Sequence, residues 1–241
     1  MRGDPPTFEL ELPGARVWFS TRQGGVSAAP YDSLNLGVLT GDRREDVIEN
    51  RARLAERVGV APERVAMGWQ VHGADLLEWD EEPNSRFAHA DGDLVKVDGH
   101  VTTRDNVALL VLAADCVPLA LSGGGRVAML HCGWRGLAAG IVEHALRRFG
   151  TAPAAAVGPA IGLCCYEVGD EVLAAFADLP GVASGRNLDL RSVIHAKLER
   201  AGVQEVLDVD HCTSCNPELF FSHRRDGPDT GRQAGVVVRT P

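Results

Sequence analysis

Residues 126–150, RVAMLHCGWRGLAAGIVEHALRRFG, read as a strand, a tight turn and a helix. RVAMLH is short and continuously apolar, as expected of a strand buried on both faces. CGWRG supplies a glycine-flanked turn. Leu137, Ile141, Leu146 and Phe149 then mark the buried side of a helix running from about Leu137 to Phe149, which Gly150 ends. Upstream, NVALLVLAAD (106–115) predicts a second strand without a polar face. Strands are also expected at Arg16–Ser20, Ala154–Val157, Glu205–Val209 and Gly235–Arg239, with shorter β-rich runs in RVAMGWQV and ADLLEW. Helices are expected at Asp42–Val58, near Asp170–Ala177 and at Asp189–Ala201. For the first of these, Asp42 with Glu45 resembles a capping box and Gly59 is the stop. This mixture predicts an α/β or α+β fold of mixed sheets flanked by helices, and no linker divides residues 1–241, so one domain is expected.

The 24 basic and 33 acidic residues leave a net charge of −9, and no Lys/Arg cluster exceeds a pair. A groove for nucleic acid is therefore not expected, and a small-molecule substrate is favoured. No apolar run approaches the 18 or so residues of a membrane span, and MRGDPPTFELEL lacks the basic start and apolar run of a secretory signal. The expectation is a cytoplasmic protein. Its six cysteines (116, 132, 164, 165, 212 and 215) are then thiols, ligands or small buried residues.

Three residues sit where apolar runs end: His72 in WQVHG, Cys116 in ADCVPL and His131 in HCGWRG. These are zinc-preferring donors, and three of them meeting would leave a fourth coordination position open for chemistry. Each has a plain alternative. His72 can be a core histidine bonded to backbone, and Cys116 a small buried hydrophobe, although Pro118 suggests that the strand breaks just past the thiol. His131 opens the turn before a helix, a placement typical of α/β sites. Arg135 beside it suits phosphate or carboxylate, or else a surface salt bridge. The long polar loop TRQGGVSAAPYDSLNLG (21–37) is of the kind that carries function.

Other polar groups read more plainly. His89, Asp91, Asp93, Asp98 and His100 offer metal-ligand types, but a solvated acidic loop is the simpler reading. Cys212 and Cys215 have CxxC spacing next to His211, with no second CxxC to complete a structural zinc site. The adjacent Cys164 and Cys165 read as buried thiols.

Six ordered motifs, STRQGGVSAAPYDSLNLG, WQVHG, ADCVPL, HCGWRGL, GPAIGLCCYEVG and FFSHRRDGPDTGRQAG, together resemble the YfiH/laccase-domain family, members of which are described as polyphenol oxidases or as purine nucleoside phosphorylases. The resemblance implies a layered sandwich similar to the Cys/His deamidase toxins. It implies a zinc site at His72, Cys116 and His131, which are then also the catalytic residues. It further implies phosphorolysis of adenosine, inosine, guanosine and methylthioadenosine, and hydrolytic deamination of adenosine. Cys132 stands where many members have Ala and would place a second thiol beside the site; His223 stands where Tyr is common. Arg22, Asn35 and Arg135 are the candidates for substrate contact: the arginines for phosphate, Asn35 for ribose or base. A multicopper centre needs more histidine than the eight present, none of them in an HxH pair, so copper is less expected than zinc. A Cys116/His131 amidohydrolase acting on cell-wall precursors and a non-enzymatic metal-binding module remain the alternatives.

Overall fold

The computed structural model describes residues 5–83, 86–89 and 94–241. In chain order the strands are β1 (Thr7–Leu12), β2 (Ala15–Ser20), β3 (Val65–Ala66), β4 (Leu76–Glu78), β5 (Gly99–Thr102), β6 (Ala108–Ala113), β7 (Val117–Gly123), β8 (Arg126–Cys132), β9 (Ala154–Val157), β10 (Ala183–Ser184), β11 (Asn187–Leu188), β12 (Val206–Asp208) and β13 (Gln233–Arg239). The helices are α1 (Arg44–Val58), α2 (Arg86–His89), α3 (Trp134–Ala138), α4 (Ile141–Leu146), α5 (Asp170–Ala174), α6 (Leu190–Arg200) and α7 (His223–Asp226).

Two mixed sheets carry the fold, one of five strands in the order β1-β2-β13-β6-β3 and one of six in the order β12-β9-β7-β8-β5-β4. Side chains alternate across each strand, so every central strand divides its residues between two layers. Val17, Phe19, Leu109, Val111 and Val237 of the five-stranded sheet pack against Ala120, Val127, Met129 and Ala156 of the six-stranded one. The opposite face of the five-stranded sheet, with Trp18, Leu110, Val236 and Val238, is covered by Leu54, Ala55 and Val58 of α1. The opposite face of the six-stranded sheet, with Val117, Leu119, Leu121, Leu130 and Val157, is covered by residues of α3, α4, α5 and α6. The result is a four-layer sandwich, helix on sheet on sheet on helix, in agreement with the expected α+β class.

Most expected elements are present, with four differences. A strand not anticipated, β1, pairs with β2 along its length; its acidic alternation FELEL suits an edge with one wet face. The helix expected from Leu137 to Phe149 is broken into α3 and α4, because Gly140 adopts a left-handed conformation (φ 87°) between them. The capping box at Asp42 is not formed. Asp42 instead accepts from Ser27 and Asn35, and the helix starts after Arg43 without a side-chain cap.

The fourth difference concerns Pro118, which does not break the strand just past the thiol. It is the second residue of β7, a central strand, and lies opposite His131. His131 directs its N–H to the carbonyl of Asp98 instead (2.7 Å), and the ladder from β7 to β9 starts only at Leu119, so no bond requires the N–H that proline lacks.

Candidate functional site

β6 belongs to one sheet and β7 to the other, and Cys116 lies in the crossing between them. Crossing in so few residues forces Asp115 to φ 94°, a region that side chains disfavour. His131 is the penultimate residue of β8, buried and next to Cys116 across the β7–β8 pair. His72 arrives from the loop between β3 and β4 and also has a positive φ, 61°. Thus only His131 lies within a strand, and two of the three residues are placed by strained loop geometry of the kind that gathers at functional sites.

The donor atoms of His72, Cys116 and His131 all lie within 4.8 Å of one another. The two imidazoles meet edge to face, with centroids 4.9 Å apart. Gly133 lets them close: a Cβ there would sit 3.0 Å from His72 Cδ2 and 3.2 Å from Cys116 Sγ. His72 is exposed and His131 buried, so the group opens to solvent on one side.

Asp98 holds this geometry. Its carboxylate is fully buried and accepts the backbone N–H groups of Val71, His72 and Gly73 at 3.0, 2.9 and 2.7 Å. Its Oδ1 also lies 2.8 Å from His131 Nδ1. One carboxylate therefore fixes the loop carrying His72 and orients the ring of His131, leaving Nε2 for a metal or for Cys116. Burial alone would raise the Asp98 pKa, but the bonds from His131 and the loop amides bring it below the ordinary value. Asp98 and His100 are both buried and so are not part of a solvated loop; Asp91 and Asp93 lie outside the described residues.

The electrostatics of the pair follow from this arrangement. Burial disfavours a thiolate at Cys116, yet the His131 charge and hydrogen bonds from both histidines lower its pKa to about 6. Burial likewise disfavours an imidazolium at His131, yet Cys116 and Asp98 raise its pKa to about 9. Without metal the two rest as a thiolate–imidazolium pair. Cys132 takes no part: it packs into the core with Leu130 and Leu137, and burial pushes its thiol upward.

Asp115 gathers the rest of the wall. It accepts the Thr213 hydroxyl at 2.6 Å and the Arg224 amide at 2.7 Å, and its carbonyl accepts the Ile161 amide at 3.0 Å. Tyr166 is raised to about 12 by burial and by the nearby Cys116 and Asp115, against the pull of Arg224 and Arg135. The Arg224 guanidinium lies 5.1 Å from the centroid of the Tyr166 ring. Arg232, lowered by burial, feels Asp115 and Cys116 as well. Asp98 is named from the sequence only as part of an acidic loop, and Asp115, Tyr166, Arg224 and Arg232 are given no role. The quoted motifs nonetheless contain four of them: Asp115 in ADCVPL, Tyr166 in GPAIGLCCYEVG, and Arg224 and Arg232 in FFSHRRDGPDTGRQAG.

The expected substrate residues fare differently. Arg135 is exposed on α3 with its guanidinium over Trp134, and no salt bridge engages it among the described residues. Arg22 and Asn35 both make contacts within the protein. Arg22 donates to the carbonyls of Asp32 and Pro217 and stacks on Phe221, tying two loops together. Asn35 is completely buried; it donates to Thr40 and Asp42 and accepts from the amides of Gly37 and Arg232. Both tie loops together, and Asn35 holds the backbone of Arg232.

A family model described as "Multi-copper polyphenol oxidoreductase laccase" matches residues 16–240. The chain belongs to this YfiH/laccase-domain family. Among its curated relatives, Purine nucleoside phosphorylase YlmD of Geobacillus stearothermophilus is 38% identical over 98% of this chain and 93% of its own. Purine nucleoside phosphorylase YfiH of Escherichia coli is 38% identical over 93% of each chain. The crystal structure of the Geobacillus YlmD superposes with a TM-score of 0.87 at 36% identity, over 95% of this chain and 93% of that one. A Bacillus licheniformis YfiH structure gives 0.86 at 32% identity, over 94% and 93%. The family model carries copper in its description, yet among the described residues of this YfiH/laccase-domain chain only one potential metal-binding group includes histidine.

Proposed function

We propose that this chain is a purine nucleoside phosphorylase that uses the His72/Cys116/His131 site. The observation that carries the reading is the shared fold and sequence with relatives named for that activity, together with three convergent soft donors buttressed by a buried carboxylate. The expected substrates are adenosine, inosine, guanosine and methylthioadenosine with phosphate, with hydrolytic deamination of adenosine at the same site.

His72, Cys116 and His131 would hold zinc, whose thiolate and imidazole preferences match the set. Bound there, the ion supplies Lewis acidity toward an oxygen of the substrate or water. The protein's own tasks are separate. In phosphorolysis a phosphate oxygen bonds to C1′ while the C1′–N9 bond breaks, its electrons leave with the purine, and the base then takes up a proton. Positive charge develops on the sugar, so the phosphate must be held against it. Arg135 and Arg224, both close enough to Tyr166 to act on its charge, would receive that anion. Asp98 keeps the His131 ring and the His72 loop in register throughout.

The test is to incubate purified protein with inosine and with adenosine, with and without phosphate, and to separate the products chromatographically. Phosphate-dependent release of base and ribose 1-phosphate is expected. Base release indifferent to phosphate, or no release at all, would refute the reading.

One observation favours a second reading. Asp98, His131 and Cys116 form an acid–imidazole–thiolate series, the arrangement of a cysteine nucleophile with an oriented base. A Cys/His amidohydrolase acting on cell-wall precursors would be inhibited when zinc occupies the thiolate, whereas the phosphorylase would not.

A further inference from the structure

We infer that Cys164, Cys165, Cys212 and Cys215 form a second metal centre, a closed four-cysteine site that takes zinc. From sequence alone the CxxC had no partner pair and the adjacent cysteines read as buried. The fold changes both readings. β9 and β12 are parallel neighbours, and their pairing continues past the strand ends as a bridge between Ala160 and Cys212. The loops leaving the two strands therefore run side by side, one carrying Cys164 and Cys165, the other Cys212 and Cys215.

The four sulfurs lie within 4.8 Å of one another, with Cys215 Sγ 3.4 Å from Cys164 Sγ and 3.3 Å from Cys165 Sγ. A tetrahedral ion with metal–sulfur bonds near 2.3 Å spaces its ligands about 3.8 Å apart, so the cluster is already at the scale of one ion. All four cysteines are free, and Cys164 and Cys215 are exposed, so neither packing nor cross-linking accounts for the gathering. The surroundings also fit a thiolate centre. The Gly162 amide donates to Cys212 Sγ at 3.2 Å, and the Cys215 amide donates to the same sulfur. Such N–H to sulfur bonds orient and stabilise metal-bound thiolates. Gly162 permits the approach: a Cβ there would lie 3.3 Å from Cys212 Cβ and 3.4 Å from Cys164 Sγ.

With four protein ligands the centre has no open position, so its task is structural. Zinc displaces four thiol protons to the buffer and joins the turn ending at Tyr166 to the loop carrying Thr213. Tyr166 lies in the wall of the His72/Cys116/His131 site, and Thr213 bonds to Asp115. The second ion therefore clamps one side of the first site without touching substrate.

The experiment uses reduced full-length protein, zinc alone as the probe and no nucleoside, so its outcome is independent of the proposed enzymatic reaction. Cys116→Ala removes the thiolate of the first site. In that variant one tight equivalent of zinc is expected, with a Kd of about nanomolar or below. Replacing zinc by cobalt should give the intense sulfur-to-cobalt charge-transfer absorption of a tetrahedral thiolate centre. Adding Cys212→Ser and Cys215→Ser should abolish both signals. Cys215→His, which retains a donor, should restore binding with a weaker cobalt band, controlling for misfolding. The inference is overturned if Cys116→Ala protein binds no tight zinc under reducing conditions, or if its zinc survives loss of Cys212 and Cys215.

Discussion

Asp98→Asn changes one atom type at the point where the His72 loop and His131 are tied together. In the native site Oδ1 accepts from His72 N and faces His131 Nδ1, while Oδ2 accepts from the amides of Val71 and Gly73. An asparagine can satisfy only one of these sides. Whichever way it is turned, its NH₂ faces two donors. Each buried donor left without an acceptor costs about 1–3 kcal/mol, so the pair costs roughly 2–6 kcal/mol before relaxation. For a chain of this size each kcal/mol corresponds to about 2–4 °C in Tm, and partial rearrangement of the loop should leave a drop of about 6–12 °C. Loss of a carboxylate behind a ligating histidine lowers metal affinity about 10–100-fold. The assays are calorimetric Tm of metal-free protein and zinc competition against a chromophoric chelator. Wild-type Tm together with wild-type zinc affinity would refute the role assigned to Asp98.

Four further outcomes are expected. In metal-free protein, alkylation of Cys116 should show its midpoint at about pH 6, well below that of an ordinary thiol, and His131→Ala should move it upward. The stability of metal-free protein should follow the same pair. The depressed Cys116 contributes stability that is complete above pH 9.0 and lost as pH falls through about 6. The raised His131 contributes stability that is complete below pH 6.5 and lost as pH rises through about 9. Their opposed trends cancel between, and beyond either end one contribution is complete where the other is absent, so this pair should leave Tm nearly level throughout. A maximum at acid pH would contradict the ion pair. Gly133→Ala keeps an accessible backbone conformation (φ −81°) but crowds His72 and Cys116, and should weaken zinc binding about tenfold or more. Unchanged zinc affinity there would mean the donors need not approach so closely. Arg135→Ala should raise the phosphate KM roughly tenfold or more, as loss of a charge-assisted contact does, with Tm nearly constant because the side chain is exposed. An unchanged phosphate KM would remove Arg135 from the site.

What could be read without coordinates was local. Continuous apolar runs announced β6, β8 and β13. Asp189 and Gly59 marked where α6 starts and α1 stops, and the observed caps agree. Propensity went astray where partners elsewhere in the chain override it. Pro118 sits in a central strand because the hydrogen bonds of its neighbours lead away from it, and Gly140 breaks a helix that the apolar spacing would have continued. Asp42 is drawn from its expected cap by Ser27 and Asn35, and Asn35 also holds the backbone of Arg232.

The same division runs through the sites. His72, Cys116 and His131 could be named from the sequence because donor type and position at the ends of apolar runs are properties of the chain itself. Their convergence, the charges they share and the carboxylate that secures them depend on which strands become neighbours. Asp98 lies 33 residues from His131 along the chain and 2.8 Å from it in space. Cys165 and Cys215 are 50 residues apart and 3.3 Å apart. No spacing rule links such residues. Sheet pairing brings them together, because burying the apolar faces of β5, β8, β9 and β12 leaves the loops beyond their ends only one place to meet.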